Sequence, residues 1–182
     1  MWISKRALGT VLVAAVGALS MMFAGGAFGT PGHEQRSGPS HAGNHTGAPL
    51  IDESLAPSMP TPTDPMLHGV SPGAAPWVLK SGVVRLKRDG KFDLRVEGLV
   101  IPTPPFTGTP GPVTTISASL YCGPDSNGMA ADTTQQVPIS RDGNARIRDA
   151  SFMVPATCLA PVILVHPNGL ANMYIAVDGW RM

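Results

Sequence analysis

Apolar and polar residues alternate with a period of two through much of the second half of the chain. In residues 92–97 an apolar residue alternates with a charged one, and in residues 115–121 apolar residues alternate with Thr, Ser or Tyr. This period predicts half-buried β-strands. Residues 162–165 are continuously apolar, which predicts a strand buried on both faces. No segment beyond the N-terminal region has a helical period, so the pattern predicts an all-β protein.

Two segments share a hairpin pattern. Residues 84–102 and 137–155 both match V-x-[LI]-x-R-D-G-x-x-x-[LI]-R, followed by apolar residues and a proline at the same offset. Asp-Gly supplies the positive φ that a tight hairpin requires. The pattern therefore predicts two equivalent hairpins. Internal duplication and convergence on the same turn chemistry both explain it.

Gly and Pro residues separate the short strands at regular intervals. The chain has 21 Gly and 19 Pro, which favour turns over helices. Over residues 77–182 the pattern predicts an antiparallel, immunoglobulin-like β-sandwich of seven or eight strands. The predicted strands cover residues 83–87, 92–101 with a bulge at Gly98, 113–122, 133–140, 145–154, 162–165 and 173–177.

The N-terminal region has the pattern of an export signal. Lys5 and Arg6 precede an uncharged run over residues 7–28. Small residues at the end of this run predict cleavage before Thr30. The run is also just long enough to cross a bilayer, so an uncleaved anchor is the alternative. We assign residues 1–29 to a signal peptide or N-terminal anchor.

A Pro- and Gly-rich segment follows over residues 30–76. Its composition predicts a disordered linker, because proline lacks the donor N–H and the segment offers little apolar surface. It also contains four of the five histidines, and His-rich tracts can bind metal. A metal-binding envelope protein that uses these side chains and nearby methionines is therefore one alternative function. The four histidines are His33, His41, His45 and His68.

Cys122 and Cys158 are the only two cysteines. In an exported chain such a pair predicts a disulfide bond. The alternative is a copper site, because Cys158, His166 and Met173 follow one another as in blue-copper proteins. That site normally takes two histidines, whereas His166 is the only one after residue 76.

Charge and motifs argue against several classes of function. The net charge is +1 and only 14% of residues are charged, which does not favour nucleic-acid binding. The sequence has no Gly-x-Ser-x-Gly elbow, phosphate loop, dinucleotide fingerprint or zinc-ligand pattern. His166 is interpreted as a hydrogen-bonded structural residue, and the acidic residues as a hydrated face. These acids are Asp89, Asp93, Glu97, Asp142 and Asp149.

Three short stretches carry a resemblance to known sequences. Residues 119–123, 137–145 and 155–162 resemble small exported bacterial proteins of unknown function, often from actinobacteria. The resemblance covers most of residues 77–182. It implies export, the cysteine pair and a β-sandwich, and it implies no activity.

Taken together, the sequence predicts an exported, non-catalytic protein that acts as a binding or surface-interaction module without a cofactor. Its expected partner is an unidentified extracellular or cell-envelope molecule. Contact with a membrane is expected only through an uncleaved N-terminal segment. The long loops at 102–112 and 123–132 are the predicted interaction surfaces. An unrecognised hydrolase is the second alternative function, after the metal-binding one.

Overall fold

Residues 49–179 are described by the structure, a computed structural model, and their regular elements are all β-strands. The strands are β1 (Pro49–Pro57), β2 (Ser71–Pro72), β3 (Ser81–Lys87), β4 (Phe92–Glu97), β5 (Thr115–Tyr121), β6 (Asp132–Thr133), β7 (Val137–Pro138), β8 (Ala145–Asp149), β9 (Val162–Pro167), β10 (Met173–Tyr174) and β11 (Ala176–Asp178). The all-β prediction is confirmed. Within these residues there is no helix long and apolar enough to cross a membrane.

Nine of the strands form one antiparallel sheet. Its order is β6–β5–β9–β11–β1–β3–β4–β8, and β7 pairs with β5 beside β6. The remaining two strands, β2 and β10, form a small parallel pair. The turn between β7 and β8 links strands from opposite ends of the sheet order.

The inward side chains of the large sheet form a single core. Leu86 on β3, Leu94 on β4, Ile116 on β5 and Ile163 on β9 are fully buried in one apolar cluster. Strands far apart in the sheet order thus meet across the interior, so the sheet is curled around its own core. The immunoglobulin-like arrangement of two packed sheets is not confirmed.

Residues 49–76 correct the predicted domain boundary. The linker prediction over 30–76 is wrong for this part, because β1 lies between β11 and β3 in the middle of the sheet. Ile51 and Leu55 of β1 belong to the core. The composition averaged over residues 30–76 is dominated by Pro and Gly, so it did not indicate these buried apolar positions. The rest of the predicted linker and the predicted signal peptide lie outside the described residues.

The chain between β1 and β3 covers the outer side of the sheet. A second apolar cluster joins Val70 to Tyr121, Leu164, Tyr174 and Val177 on the side facing away from the core. The Tyr174 hydroxyl donates to the carbonyl of Pro65 at 2.8 Å, which fixes this segment further. Strands β5, β9 and β11 are therefore buried on both faces, in agreement with the continuous apolar run of β9.

The two predicted hairpins have equivalent turns. In the first, Gly90 N–H donates to Lys87 at 3.0 Å, and in the second Gly143 N–H donates to Ser140 at 2.9 Å. Both glycines have positive φ, +85° and +75°. Leu94 of β4 pairs with Ile147 of β8, which occupies the equivalent position in the second copy. The prediction of two equivalent hairpins therefore holds only for the turns and the return strands, because β3 pairs with β4 whereas β7 pairs with β5.

The tips of the hairpins also pack reciprocally. A Cβ on Gly90 would lie 2.4 Å from the carbonyl oxygen of Phe152, and one on Gly143 would lie 2.4 Å from that of Leu99. Phe152 and Leu99 occupy equivalent positions in the two copies. Each tip therefore needs glycine for close approach as well as for its turn.

Several predicted strands are shorter than the sequence pattern suggested. The predicted bulge residue Gly98 has φ +65°, and β4 ends just before it. Strand β8 ends at Asp149, where the carboxylate accepts the backbone N–H of Ser151 at 2.8 Å and forms a turn. The predicted strand 133–140 is divided into β6 and β7.

Candidate functional site

His166 lies on β9, on the outer side of the sheet. Its partner across the strand pair is Ser117 of β5. The histidine is only 1% exposed. Its Nδ1 lies 2.7 Å from the backbone carbonyl oxygen of Met173, which can only accept a hydrogen bond. Nδ1 is therefore the protonated nitrogen, as expected for a hydrogen-bonded structural histidine.

The second ring nitrogen has a different environment. His166 Nε2 is buried and has no hydrogen-bond partner among the described residues. Burial lowers the pKa of His166, although hydrogen bonds to the backbone at Met173 and Leu170 partly oppose this effect. The ring is neutral at neutral pH, so Nε2 carries an unshared electron pair and acts as an acceptor. A buried polar atom without a partner costs free energy, and such atoms are uncommon in native proteins.

His166 lines a pocket of about 170 Å³. Its lining is polar and contains no Lys, Arg, Asp or Glu. It consists of Ser117, Ser119, Thr133, Thr134, Gln135, Gln136, His166, Gly169 and Ala171. The volume of about 170 Å³ corresponds to about six molecules of liquid water and is smaller than typical drug-sized sites.

Some of the lining groups are already engaged with the protein. Thr134 Oγ1 accepts the N–H of Ala118 at 3.0 Å. The hydroxyls of Ser119 and Thr133 lie 2.8 Å apart. Gln136 Oε1 accepts the hydroxyl of Thr115 at 2.7 Å, so the Gln136 amide group presents N–H donors. The pocket is thus lined by a histidine whose Nε2 can accept a hydrogen bond and by a glutamine whose amide N–H groups can donate one. These groups suit a small neutral ligand with hydroxyl groups.

The predicted disulfide is present. Cys122 and Cys158 are bonded, and their Cα atoms are 5.0 Å apart. The backbone N–H of Gly123 also donates to the carbonyl of Leu159 at 2.6 Å. The copper alternative with Cys158, His166 and Met173 is wrong for the disulfide-bonded protein. The sulfur of Cys158 is bonded to Cys122, and Met173 contacts His166 through its backbone carbonyl.

His68 is the one predicted tail histidine among the described residues, and it is 4% exposed. Its ring stacks on Tyr121 with centroids 5.0 Å apart, and its Nδ1 lies 2.8 Å from the carbonyl oxygen of Asn127. His33, His41 and His45 lie outside the described residues. Within residues 49–179, no group of three His, Cys, Asp or Glu side chains is arranged to hold a metal ion.

The acidic residues considered from the sequence lie at the surface rather than in the pocket. Asp89 forms an ion pair with Lys91 at 3.0 Å, and Asp93 accepts a hydrogen bond from Arg146 Nε at 3.0 Å. The pairing of Glu97 with Arg95 is also exposed. None of these carboxylates lines the pocket at His166.

Asp178 is a half-buried acid that the sequence pattern did not reveal. Its Oδ1 accepts the backbone N–H of Ile163 at 2.8 Å, so the carboxylate continues the ladder between β11 and β9. Burial raises the pKa of Asp178 to about 6, and the hydrogen bond from Ile163 partly offsets this effect. Glu53 adds a smaller repulsion.

The two predicted interaction loops do not form the pocket. The loop at 123–132 packs on the opposite part of the outer face, where Asp125 accepts the N–H of His68 at 2.6 Å. The loop at 102–112 exposes 40% of Phe106. The pocket is instead lined by residues 133–136, Gly169 and Ala171, together with residues of β5 and β9.

Comparisons with known proteins give no relative. The chain matches no protein-family model, no curated protein and no solved structure. The function must therefore be argued from the geometry of the chain itself.

Proposed function

We propose that the protein is an exported, non-catalytic binding module, and that the pocket at His166 is its ligand site. The ligand class is a small, neutral molecule with several hydroxyl groups, such as a sugar or polyol. Two observations carry the proposal: His166 lines the pocket, and its buried Nε2 is an acceptor without a partner among the described residues. A ligand hydroxyl would satisfy it.

Export is part of the proposal and rests on three features. The N-terminal sequence has the charge and apolar pattern of a signal. The disulfide is consistent with an oxidising compartment outside the cytosol. The residues around Cys122 and Cys158 resemble small exported bacterial proteins, and this resemblance also supports export.

The test uses two matched histidine variants. His166→Asn keeps a side-chain donor near the position of Nδ1, which can still reach the Met173 carbonyl, but removes Nε2. His68→Asn makes the same change at a buried histidine that also bonds a backbone carbonyl through Nδ1 and lies outside the pocket. A thermal-shift screen with monosaccharides, polyols and charged analogues would be run on all three proteins.

We expect a neutral hydroxylated ligand to stabilise the wild type and the His68→Asn variant. The shift should be lost in His166→Asn. A ligand that stabilises all three proteins equally binds elsewhere and contradicts the assignment of the site. A screen in which only anionic compounds produce a shift contradicts the neutral ligand class.

A hydrolase is the second candidate, and the pairing of Ser117 with His166 favours it. A serine opposite a neutral histidine could serve as a nucleophile activated by a base. The orienting group at Nδ1 would be the Met173 carbonyl instead of an acid. Treatment with a fluorophosphonate followed by mass spectrometry would mark Ser117 if this were correct. An unmodified Ser117 argues against this candidate.

A further inference from the structure

A second groove lies on the outer side of β3, β4 and β8, away from the His166 pocket. Its volume is about 450 Å³. Four of its eight lining residues are Lys or Arg and two are Asp. The lining consists of Arg85, Lys87, Lys91, Phe92, Asp93, Arg148, Asp149 and Ala150. The volume falls within the range of small-molecule sites.

The strand pattern places these charges in one row. Arg85 of β3 pairs with Asp93 of β4, which pairs with Arg148 of β8. Neighbouring strands lie about 4.8 Å apart, so the backbones of the two arginines are roughly 10 Å apart. Lys87 extends the row along β3 by about 7 Å, the rise of two residues in a strand.

Two of the four cations have their own counter-ion outside the groove. Arg85 is paired with Asp52 at 2.9 Å. Lys91 is paired with Asp89 at 3.0 Å. Neither aspartate lines the groove. These pairs are exposed, so a ligand anion can compete for the cations at little cost.

The other two cations are incompletely neutralised. Lys87 has no ion pair among the described residues. Arg148 approaches Asp93 only to 3.8 Å, and Asp93 already accepts two hydrogen bonds from Arg146. The second aspartate of the groove, Asp149, accepts hydrogen bonds from the backbone and hydroxyl of Ser151 at 2.8 and 3.0 Å. Positive charge thus remains at Lys87 and Arg148.

We infer that this groove binds an anionic polymer that carries repeated phosphate or sulfate groups. Arg148 provides a planar fork for one oxyanion, and Lys87 provides a point charge for another. The spacing of the two cations across three strands suits anions on separate units of one chain better than a single ion. This site is independent of the proposed ligand at His166.

The test measures binding of fluorescently labelled inorganic polyphosphate to the full chain by anisotropy in low salt. Lys87→Gln combined with Arg148→Gln removes the two unneutralised charges. Lys80→Gln combined with Arg141→Gln is the matched control, because it removes two exposed cations that do not line the groove. Neutral dextran and inorganic phosphate serve as competitors.

We expect the groove variant to weaken binding about tenfold and to reduce the slope of log K against log salt by about two, against less than twofold weakening in the control. Dextran should not compete. Equal loss in both double variants, or no binding by the wild type, overturns the inference. Full displacement by millimolar inorganic phosphate contradicts the polymer and identifies a single-anion site.

Discussion

Replacing Asp178 by Asn tests whether a half-buried carboxylate limits stability at neutral pH. The pKa of Asp178 is raised from 3.8 to about 6 in the folded protein. Because one pKa unit corresponds to about 1.4 kcal/mol, ionisation of this group costs the fold roughly 3 kcal/mol. Asparagine has no charge, and its Oδ1 can still accept the N–H of Ile163.

The sign of the effect follows from the raised pKa. The folded state holds the proton more tightly than the unfolded state, so the fold is not penalised below about pH 4, where both states are protonated. The penalty grows as the pH rises from about 4 to 6 and is complete above that range. Asp178→Asn should therefore raise the free energy of unfolding by up to about 3 kcal/mol at pH 8 and leave it nearly unchanged at pH 4.

Urea unfolding at pH 4, 6 and 8 and constant ionic strength measures this difference. Asp149→Asn is the control, since this carboxylate also accepts a backbone N–H but lies at the end of β8, at the edge of the sheet order. It should change stability by less than about 0.5 kcal/mol. Equal stability of Asp178→Asn and wild type at pH 8, or the same gain at pH 4 as at pH 8, would refute the reasoning.

Three further predictions concern the fold. Gly143→Ala should cost more than about 3 kcal/mol in urea unfolding, because its Cβ would meet the Leu99 carbonyl, whereas Gly108→Ala has equal φ and open space and should cost about 1 kcal/mol. A chain that begins at Pro49 should unfold cooperatively by circular dichroism, whereas one that begins at Trp77 lacks the central β1 and should not fold. Replacing both cysteines by serine should cost about 4 kcal/mol by the same urea assay, the loop-closure value for a separation of 36 residues.

Local alternation predicted several elements well. The strand at 92–97 and its turn at Gly90 agree with the structure, because period-two burial and turn chemistry are properties of neighbouring residues. The apolar run at 162–165 lies within β9, which is buried on both faces. The disulfide followed from the expected compartment and the number of cysteines.

Features that depend on distant pairing were harder to predict. Strand β1 was missed because Pro and Gly around it dominated the composition, whereas its place between β3 and β11 depends on partners far along the chain. The curling of the sheet follows from strand order, which the local pattern does not encode. The apolar pattern over residues 173–177 predicted a single strand, so the break between β10 and β11 was also missed.

The candidate site was predictable only in part. His166 was expected to be a hydrogen-bonded residue, and Nδ1 agrees with this. The free Nε2 could not be foreseen, since it depends on the register that places Ser117 opposite His166. The polar face of β5 was the available signal, because serines at two alternate positions inside a buried strand are unusual. Asp178 was overlooked for the same reason, as its burial depends on the ladder to β9.

The most direct test of the proposed function is the ¹⁵N NMR spectrum of the His166 ring during titration with the neutral ligand found in the screen. The account predicts a neutral ring at pH 7 with the proton on Nδ1 and an unprotonated Nε2, because Nδ1 donates to Met173 and burial lowers the pKa of His166. The Nε2 resonance should move as a ligand hydroxyl binds. A proton on Nε2 in the free protein, or a resonance that stays fixed while the ligand saturates, would contradict it.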